Sequence, residues 1–207
     1  AHIMTTSNHR PFTYPAGRID IPSKSGRDGG VKYTDYAIGD FIERARARPW
    51  FANTLFVIVA DHTHKGRGKQ ELPIENYHIP MIVYSPAHVQ PGRVDSIASQ
   101  IDVSPTLLGL LGMSYGSHFF GQDILREGAR HQRALMANYQ TVGYYERGRM
   151  VELKPNARVR VVDANTGKPV PDDELSKQLT EEAIAYYQIA SEAFKRGELK
   201  KPVAPRP

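Results

Sequence analysis

An aspartate and a histidine at positions 61 and 62 close a run of apolar, β-prone residues, Thr54-Leu55-Phe56-Val57-Ile58-Val59-Ala60. A strand end fixes the backbone while leaving both side chains in the adjoining crevice. A carboxylate oxygen beside an imidazole nitrogen suits a borderline divalent ion such as Mn or Zn. The same two residues also read as a turn cap and an ordinary loop histidine. A second polar segment, Thr6-Ser7-Asn8-His9-Arg10-Pro11-Phe12, offers donors and a cation to an anionic group, with Pro11 stiffening the loop; by itself it reads equally as a solvated loop. His64 and His78 flank the loop that follows Asp61-His62 and face the same crevice, where either can touch metal or substrate, or make a structural hydrogen bond. Between them Lys65, Arg67 and Lys69 form a basic cluster, either solvated surface or a partner for anionic substrates and lipid head groups.

The elements that position these residues follow from periodicity. Thr5 to Gly30 is rich in Pro, Gly, Ser and Arg and predicts a long loop. Tyr33, Ala37, Ile38, Phe41, Ile42 and Ala45 predict a helix over about 31–47, with Pro49 just beyond. The continuous run at 54–60 predicts a strand buried on both faces, and 79–84 predicts another. The edge at the carboxyl end of such strands is where ligands bind in open α/β sheets. Ile101-Asp102-Val103-Ser104-Pro105 opens a helix carrying Leu107, Leu108, Leu110 and Leu111, with Asp102 or Ser104 as its cap and Gly112 as its stop. Beyond Gly121, residues 134–145, 150–153 and 159–163 predict an antiparallel meander turning at Arg147-Gly148. A last amphipathic helix spans about 173–196. Trp50 and Phe51 are expected to cover the sheet edge, Asp123 to cap a turn, and Tyr139, Tyr144, Tyr145, Tyr186 and Tyr187 to join the meander to the last helix.

Composition narrows the class. The chain of 207 residues, 40% hydrophobic and 24% charged, can bury a core and is not disordered in bulk. Its net charge of +5 is scattered, without a run of five like charges, so no nucleic-acid arm is expected. With no cysteine, thiolate sites and disulfides are excluded and His, Asp and Glu remain as strong ligands. No apolar stretch approaches the roughly 18 residues of a membrane span, and no signal-peptide core is visible. Residues 1–4 read as an expression-vector remnant. The remainder divides into an α/β part over 5–130 and a small antiparallel sheet with a C-terminal helix over 131–207.

Five ordered segments together carry a resemblance: Ser7-Asn8-His9-Arg10-Pro11-Phe12; Tyr33-x-Asp35-x-Ala37-Ile38-x-Asp40-Phe41; Asn53 through His62; His78-Ile79-Pro80-Met81-Ile82-Val83-Tyr84-Ser85-Pro86; and Ser99-Gln100-Ile101-Asp102-Val103-Ser104-Pro105-Thr106-Leu107-Leu108. Over about residues 5–125 the chain resembles the latter half of the sulfatase-like enzymes of the alkaline phosphatase superfamily. Among these it is most similar to the lipoteichoic-acid-synthase and phosphoglycerol-transferase group. The resemblance implies part of an alkaline-phosphatase-like sheet flanked by helices, followed by the meander and helix. It implies Asp61 and His62 as ligands of a catalytic divalent ion, with Mn the first choice and Zn, Mg or Ca the alternatives. It makes His9 and Arg10 the groups that hold an anionic phosphoglycerol head.

In such enzymes a Glu ligand and a nucleophilic Thr precede the Asn-His-x-Pro loop. Thr5 and Thr6 lie in the wrong segment to match them, so no catalytic nucleophile is expected in this chain, and catalysis by it alone is not expected. The implied reaction is transfer of phosphoglycerol through the upstream Thr. The alternatives are a sulfatase or phosphodiesterase hydrolase of the same fold and a non-catalytic module. The implied partners are an anionic lipid-derived substrate, the upstream half of the same domain, and a membrane through spans ahead of it. The implied location is the periplasmic, extracytoplasmic face of a bacterial inner membrane.

Overall fold

A computed structural model describes residues 1–64, 72–128 and 130–200. In chain order the elements are α1 (Arg27–Arg46), β1 (Phe56–Val59), β2 (Met81–Tyr84), α2 (Val103–Leu110), β3 (Arg133–Ala137), β4 (Val142–Glu146), β5 (Arg149–Lys154), β6 (Arg158–Asp163) and α3 (Glu174–Lys195). This is the expected α/β class with a C-terminal antiparallel meander and helix. Two compact units emerge, Ala1–Ile58 with Ile82–Gln90, and Val59–Met81 with Pro91–Pro207. Each is described by itself.

In the first unit α1 begins at Arg27, four residues earlier than its apolar stripe predicts, because Gly29 and Gly30 belong to the helix and serve close packing. A Cβ at Gly29 would stand 2.1 Å from the Tyr14 hydroxyl, and one at Gly30 2.9 Å from the Phe12 ring. Tyr14 in turn stacks on Tyr33 at 4.8 Å and donates to the carbonyls of Ile21 and Pro22. The pair of glycines therefore lets the N-terminal loop lie against the helix instead of breaking it. Asp28 in the first turn and Arg44 and Arg46 in the last complement the helix dipole. Phe56 is buried among Phe41, Trp50, Phe51 and Tyr84, so Trp50 and Phe51 cover the strand as expected.

β1 and β2 pair in a two-stranded sheet. Both are shorter than predicted, and the expectation of burial on both faces is corrected: Val59 is 40% exposed and Ile82 55% exposed. Two strands alone leave one apolar face of each without a neighbour.

The second unit holds β3-β4-β5-β6, each strand antiparallel to the next. The predicted single strand over 134–145 is in fact β3 and β4, because Asn138 turns the chain back by accepting from the backbone N–H groups of Gln140 and Thr141. Arg147-Gly148 makes the predicted hairpin turn with both φ values positive, 49° and 76°. One face of the meander packs on α3 through Tyr144, Val151, Leu179 and Ala183, all fully buried. Of these, Val151 and Leu179 each stabilise by roughly 1.5–3 kcal/mol through burial. The other face buries Leu72, Met150, Val162 and Ala164. Asp173, expected as the first residue of α3, is instead its cap, accepting from the Ser176 N–H at 2.9 Å. Tyr187 donates to the carbonyls of Met136 and Gly143, joining helix to meander, and burial pushes its pKa up to about 12. Tyr139, expected in that joint, is instead 92% exposed at the turn.

The start of α2 also departs from expectation. Neither Asp102 nor Ser104 caps it with a side chain; Ser99 and Asp102 instead form a reciprocal capping box around a short 3-10 turn, Gln100–Asp102, that leads into the helix. Gly112, with φ at 63°, ends α2 as predicted.

Candidate functional site

One residue, Ala60, separates the end of β1 from Asp61 and His62, which belong to the second unit. The Gln100 side-chain amide donates to the carbonyls of Ala60 at 3.0 Å and Asp61 at 2.8 Å, which pins the strand end. Asp61 Oδ1 accepts from the His62 backbone N–H at 2.8 Å. His62 Nδ1 lies 2.7 Å from the Thr63 carbonyl. A carbonyl only accepts, so Nδ1 carries the hydrogen, and in the neutral imidazole Nε2 presents a bare lone pair. Thr63 is itself tied down by donating to the carbonyl of buried Asn76.

The consequence is two acceptors turned toward each other. Asp61 Oδ2 and His62 Nε2 stand 3.4 Å apart, with both side chains more than 70% exposed. Two lone pairs at that separation repel unless a proton or cation lies between them. Ligands about 2.0–2.2 Å from a divalent ion sit roughly 3.3–3.6 Å from each other at tetrahedral angles, so the pair fits such an ion. Its exposure leaves room for further ligands. The Nδ1 contact to a carbonyl is the outer-shell bond that sets a metal-binding histidine's tautomer.

Gln100 is held in turn. Its turn hangs on Asp102, which is fully buried and accepts two bonds from Arg133, at 2.7 and 2.8 Å, and one from the Gln122 N–H at 2.8 Å. Burial opposes the Arg133 charge, but the bonds to Asp102 and Tyr186 outweigh it and hold the guanidinium well above its ordinary pKa. Sequence reasoning placed Asp102 at a helix start and missed both Gln100 and Arg133. An arginine opening an otherwise apolar strand was the available signal.

His9 and Arg10 lie in the first unit, exposed on a turn closed by His9 N–H to the Thr6 carbonyl at 3.0 Å and ending in a cis peptide before Pro11. His9 Nδ1 sits 2.9 Å from the Arg10 carbonyl, which again leaves Nε2 as the outward lone pair. His64 and His78 are both exposed in the second unit. Lys65, Arg67 and Lys69 lie outside the described residues. Asp61 and His62 are thus brought together, and His9 and Arg10 share a turn.

One polar cluster was not anticipated. His131, Tyr144, Glu146 and Glu182 converge between the residues leading into β3, the strand β4 and the helix α3. The Tyr144 hydroxyl lies 2.6 Å from Glu146 Oε2, 2.9 Å from Glu182 Oε2 and 3.2 Å from His131 Nε2. Burial, reinforced by the two carboxylates, drives the Tyr144 pKa far above the ordinary phenol range. The signal was present in the alternation: Tyr144 and Glu146 are two apart on one face of a strand, and Glu182 and Tyr186 are one helical turn apart.

A family model described as Sulfatase matches residues 1–113. Two Bacillus subtilis proteins are similar: a lipoteichoic acid synthase-like protein, YvgJ, 31% identical over 125 residues (52% of this chain, 20% of that protein), and lipoteichoic acid synthase 2, 25% identical over 197 residues (84% and 29%). A Vibrio parahaemolyticus protein of the alkaline phosphatase superfamily superposes with a TM-score of 0.81 at 32% identity, covering 93% of this chain and 48% of that one. The lipoteichoic acid synthase LtaP from Listeria monocytogenes shares the fold, with a TM-score of 0.69 at 20% identity, covering 98% and 54%. The chain spans about a quarter of the length of the curated relatives and about half of the solved ones. Among the described residues, no helix is long and apolar enough to cross a membrane. With the family model covering more than half of it, the chain belongs to the sulfatase family, and its similarity extends to proteins of the alkaline phosphatase superfamily, lipoteichoic acid synthases among them.

Proposed function

We propose that this chain is the C-terminal portion of a metal-dependent phosphoglycerol transferase acting on an anionic, lipid-derived head group through a Thr nucleophile upstream of it. The observation that carries the reading is the Asp61–His62 pair, two opposed lone pairs 3.4 Å apart with the histidine tautomer set for coordination. Asp61 and His62 hold the ion, Mn first, with Zn, Mg or Ca as alternatives. Bound there, a divalent ion supplies positive charge that polarises a phosphoryl oxygen and acidifies a hydroxyl. His9 and Arg10 bind the phosphoglycerol head, Arg10 by charge and His9 through its outward Nε2 when protonated, as a donor to phosphoryl or glycerol oxygens. His64 and His78 are further candidates for contact with metal or substrate. Gln100 keeps the strand end in place while the charge on phosphorus changes.

The partners in this reading are the upstream part of the same domain, for which the open apolar faces at Val59 and Ile82 are suited, and an anionic membrane surface at the extracytoplasmic face. A hydrolase reading is favoured by the description of the matching family model, and the upstream nucleophile separates the two. A formylglycine precursor there means sulfate ester hydrolysis; a Thr favours transfer.

The test uses the full-length protein. Asp61→Ala and His62→Ala should each lower turnover more than about 100-fold and release the ion, since each removes a direct ligand. Wild-type turnover with retained metal in both variants would sink the assignment.

A further inference from the structure

We propose that His131, Glu146 and Glu182, with the Tyr144 hydroxyl beneath them, form a second divalent-cation site that fastens α3 to the meander. One ligand atom from each of the three residues lies within 4.8 Å of the others. His131 Nε2 is 3.2 Å from Glu146 Oε2 and 3.2 Å from the Tyr144 hydroxyl. Ligands about 2.1 Å from an ion in octahedral arrangement stand roughly 3.0 Å apart when adjacent and roughly 4.2 Å when opposed, so the triangle needs a contraction of only some tenths of an ångström.

Hydrogen counting points to a missing positive charge. Four short contacts link these atoms: Tyr144 to Glu146, Tyr144 to Glu182, His131 to Tyr144 and His131 to Glu146. The phenol has one hydrogen and a neutral imidazole one, so with both carboxylates ionised two of the four contacts lack a hydrogen. Two carboxylate oxygens crowd a fully buried hydroxyl that carries one hydrogen between them.

The outer oxygens are held separately. Arg147 Nε stands 3.2 Å from Glu146 Oε1, and Gln178 Nε2 donates to Glu182 Oε1 at 2.8 Å. Each carboxylate is thereby oriented with Oε2 facing inward, the arrangement that outer-shell partners impose on metal ligands. An imidazole, two carboxylates and a phenol make a mixed nitrogen–oxygen donor set, which suits Zn or Mn and is poorly matched to Ca or Mg. The His131 side chain is 37% exposed and gives the ion a way in from solvent.

The experiment uses the chain carrying Asp61→Ala and His62→Ala, stripped with chelator, then dialysed against ZnCl2 or MnCl2 alone. One equivalent should be retained, and the unfolding midpoint should rise by roughly 5–10 °C at about a hundredfold the dissociation constant. Adding Glu182→Gln should weaken uptake at least about tenfold. If that variant is unfolded by circular dichroism, His131→Ala, on a half-exposed residue, replaces it with the same expectation. No stoichiometric ion in the Asp61→Ala, His62→Ala chain overturns the proposal, as does uptake that neither further substitution diminishes. A midpoint that responds to pH but to neither ion assigns the cluster to a shared proton and also overturns it. Because Asp61 and His62 are already removed, none of these outcomes depends on whether that pair binds metal.

Discussion

The meander with α3 and the two-stranded β1–β2 sheet treat apolar side chains differently. Between meander and helix, Tyr144, Val151, Leu179 and Ala183 are fully buried, whereas Val59 and Ile82 of the β1–β2 sheet expose 40% and 55% of their surface. Sequence hydrophobicity alone would rank the second region higher, since its strands are nearly unbroken runs of Val, Ile and Phe. The lesson is that a β-rich apolar run reports an environment the strand is suited to, while burial requires neighbours. The meander has α3 on one face and the segment bearing Leu72 on the other, so its interior is finished within the chain.

This contrast can be broken by mutation. The largest loss is expected at Asp102, next to the meander's first strand. Asp102→Ala leaves the Arg133 guanidinium and the Ser99 and Gln122 N–H groups without their buried acceptor. The cost should be about 3–5 kcal/mol, measured by urea unfolding. Leu179→Ala should cost about 2–5 kcal/mol because a fully buried side chain leaves a cavity, while Ile82→Ala should cost less than about 1 kcal/mol. Equal losses at Leu179 and Ile82 would erase the distinction between the two regions.

The smallest effect is pH-dependent and sharpens the picture of how α3 is tied down. The Arg149 guanidinium, with the Ser176 N–H, holds the Asp173 carboxyl well below the usual aspartate range. A folded-state pKa below the unfolded one means the folded chain binds fewer protons, so the contribution is present above about pH 4 and fades as pH falls further. Asp173→Asn, which keeps an acceptor for the cap, should flatten the acid limb of the stability profile and lower stability at neutral pH, where the pair is intact. An unchanged acid limb would show that this ion pair does not carry the dependence.

Much of this architecture is readable from spacing. The α3 helix, the Arg147-Gly148 turn and the stop at Gly112 follow from local rules, because periodicity and positive-φ turns are set by residues close in sequence. Asp61-His62 was legible as a pair at a strand end for the same reason. What was not legible depends on contacts across long separations. The Gly29-Gly30 pair reads as a breaker until Tyr14 and Phe12 are seen against it. Gln100 has no distinguishing neighbours in sequence, and its partners are some forty residues away. The four members of the His131 cluster come from three segments, and nothing in one segment announces the others.

The Gln100 amide has a consequence for engineering this protein. It joins the backbone of the exposed Asp61 to a turn that is itself suspended from a guanidinium in β3, so the coordinates of the acid–imidazole pair are inherited from the sheet. Loosening that sheet, even by a substitution chosen for solubility or expression, would let the two side chains drift from their 3.4 Å spacing without altering either of them.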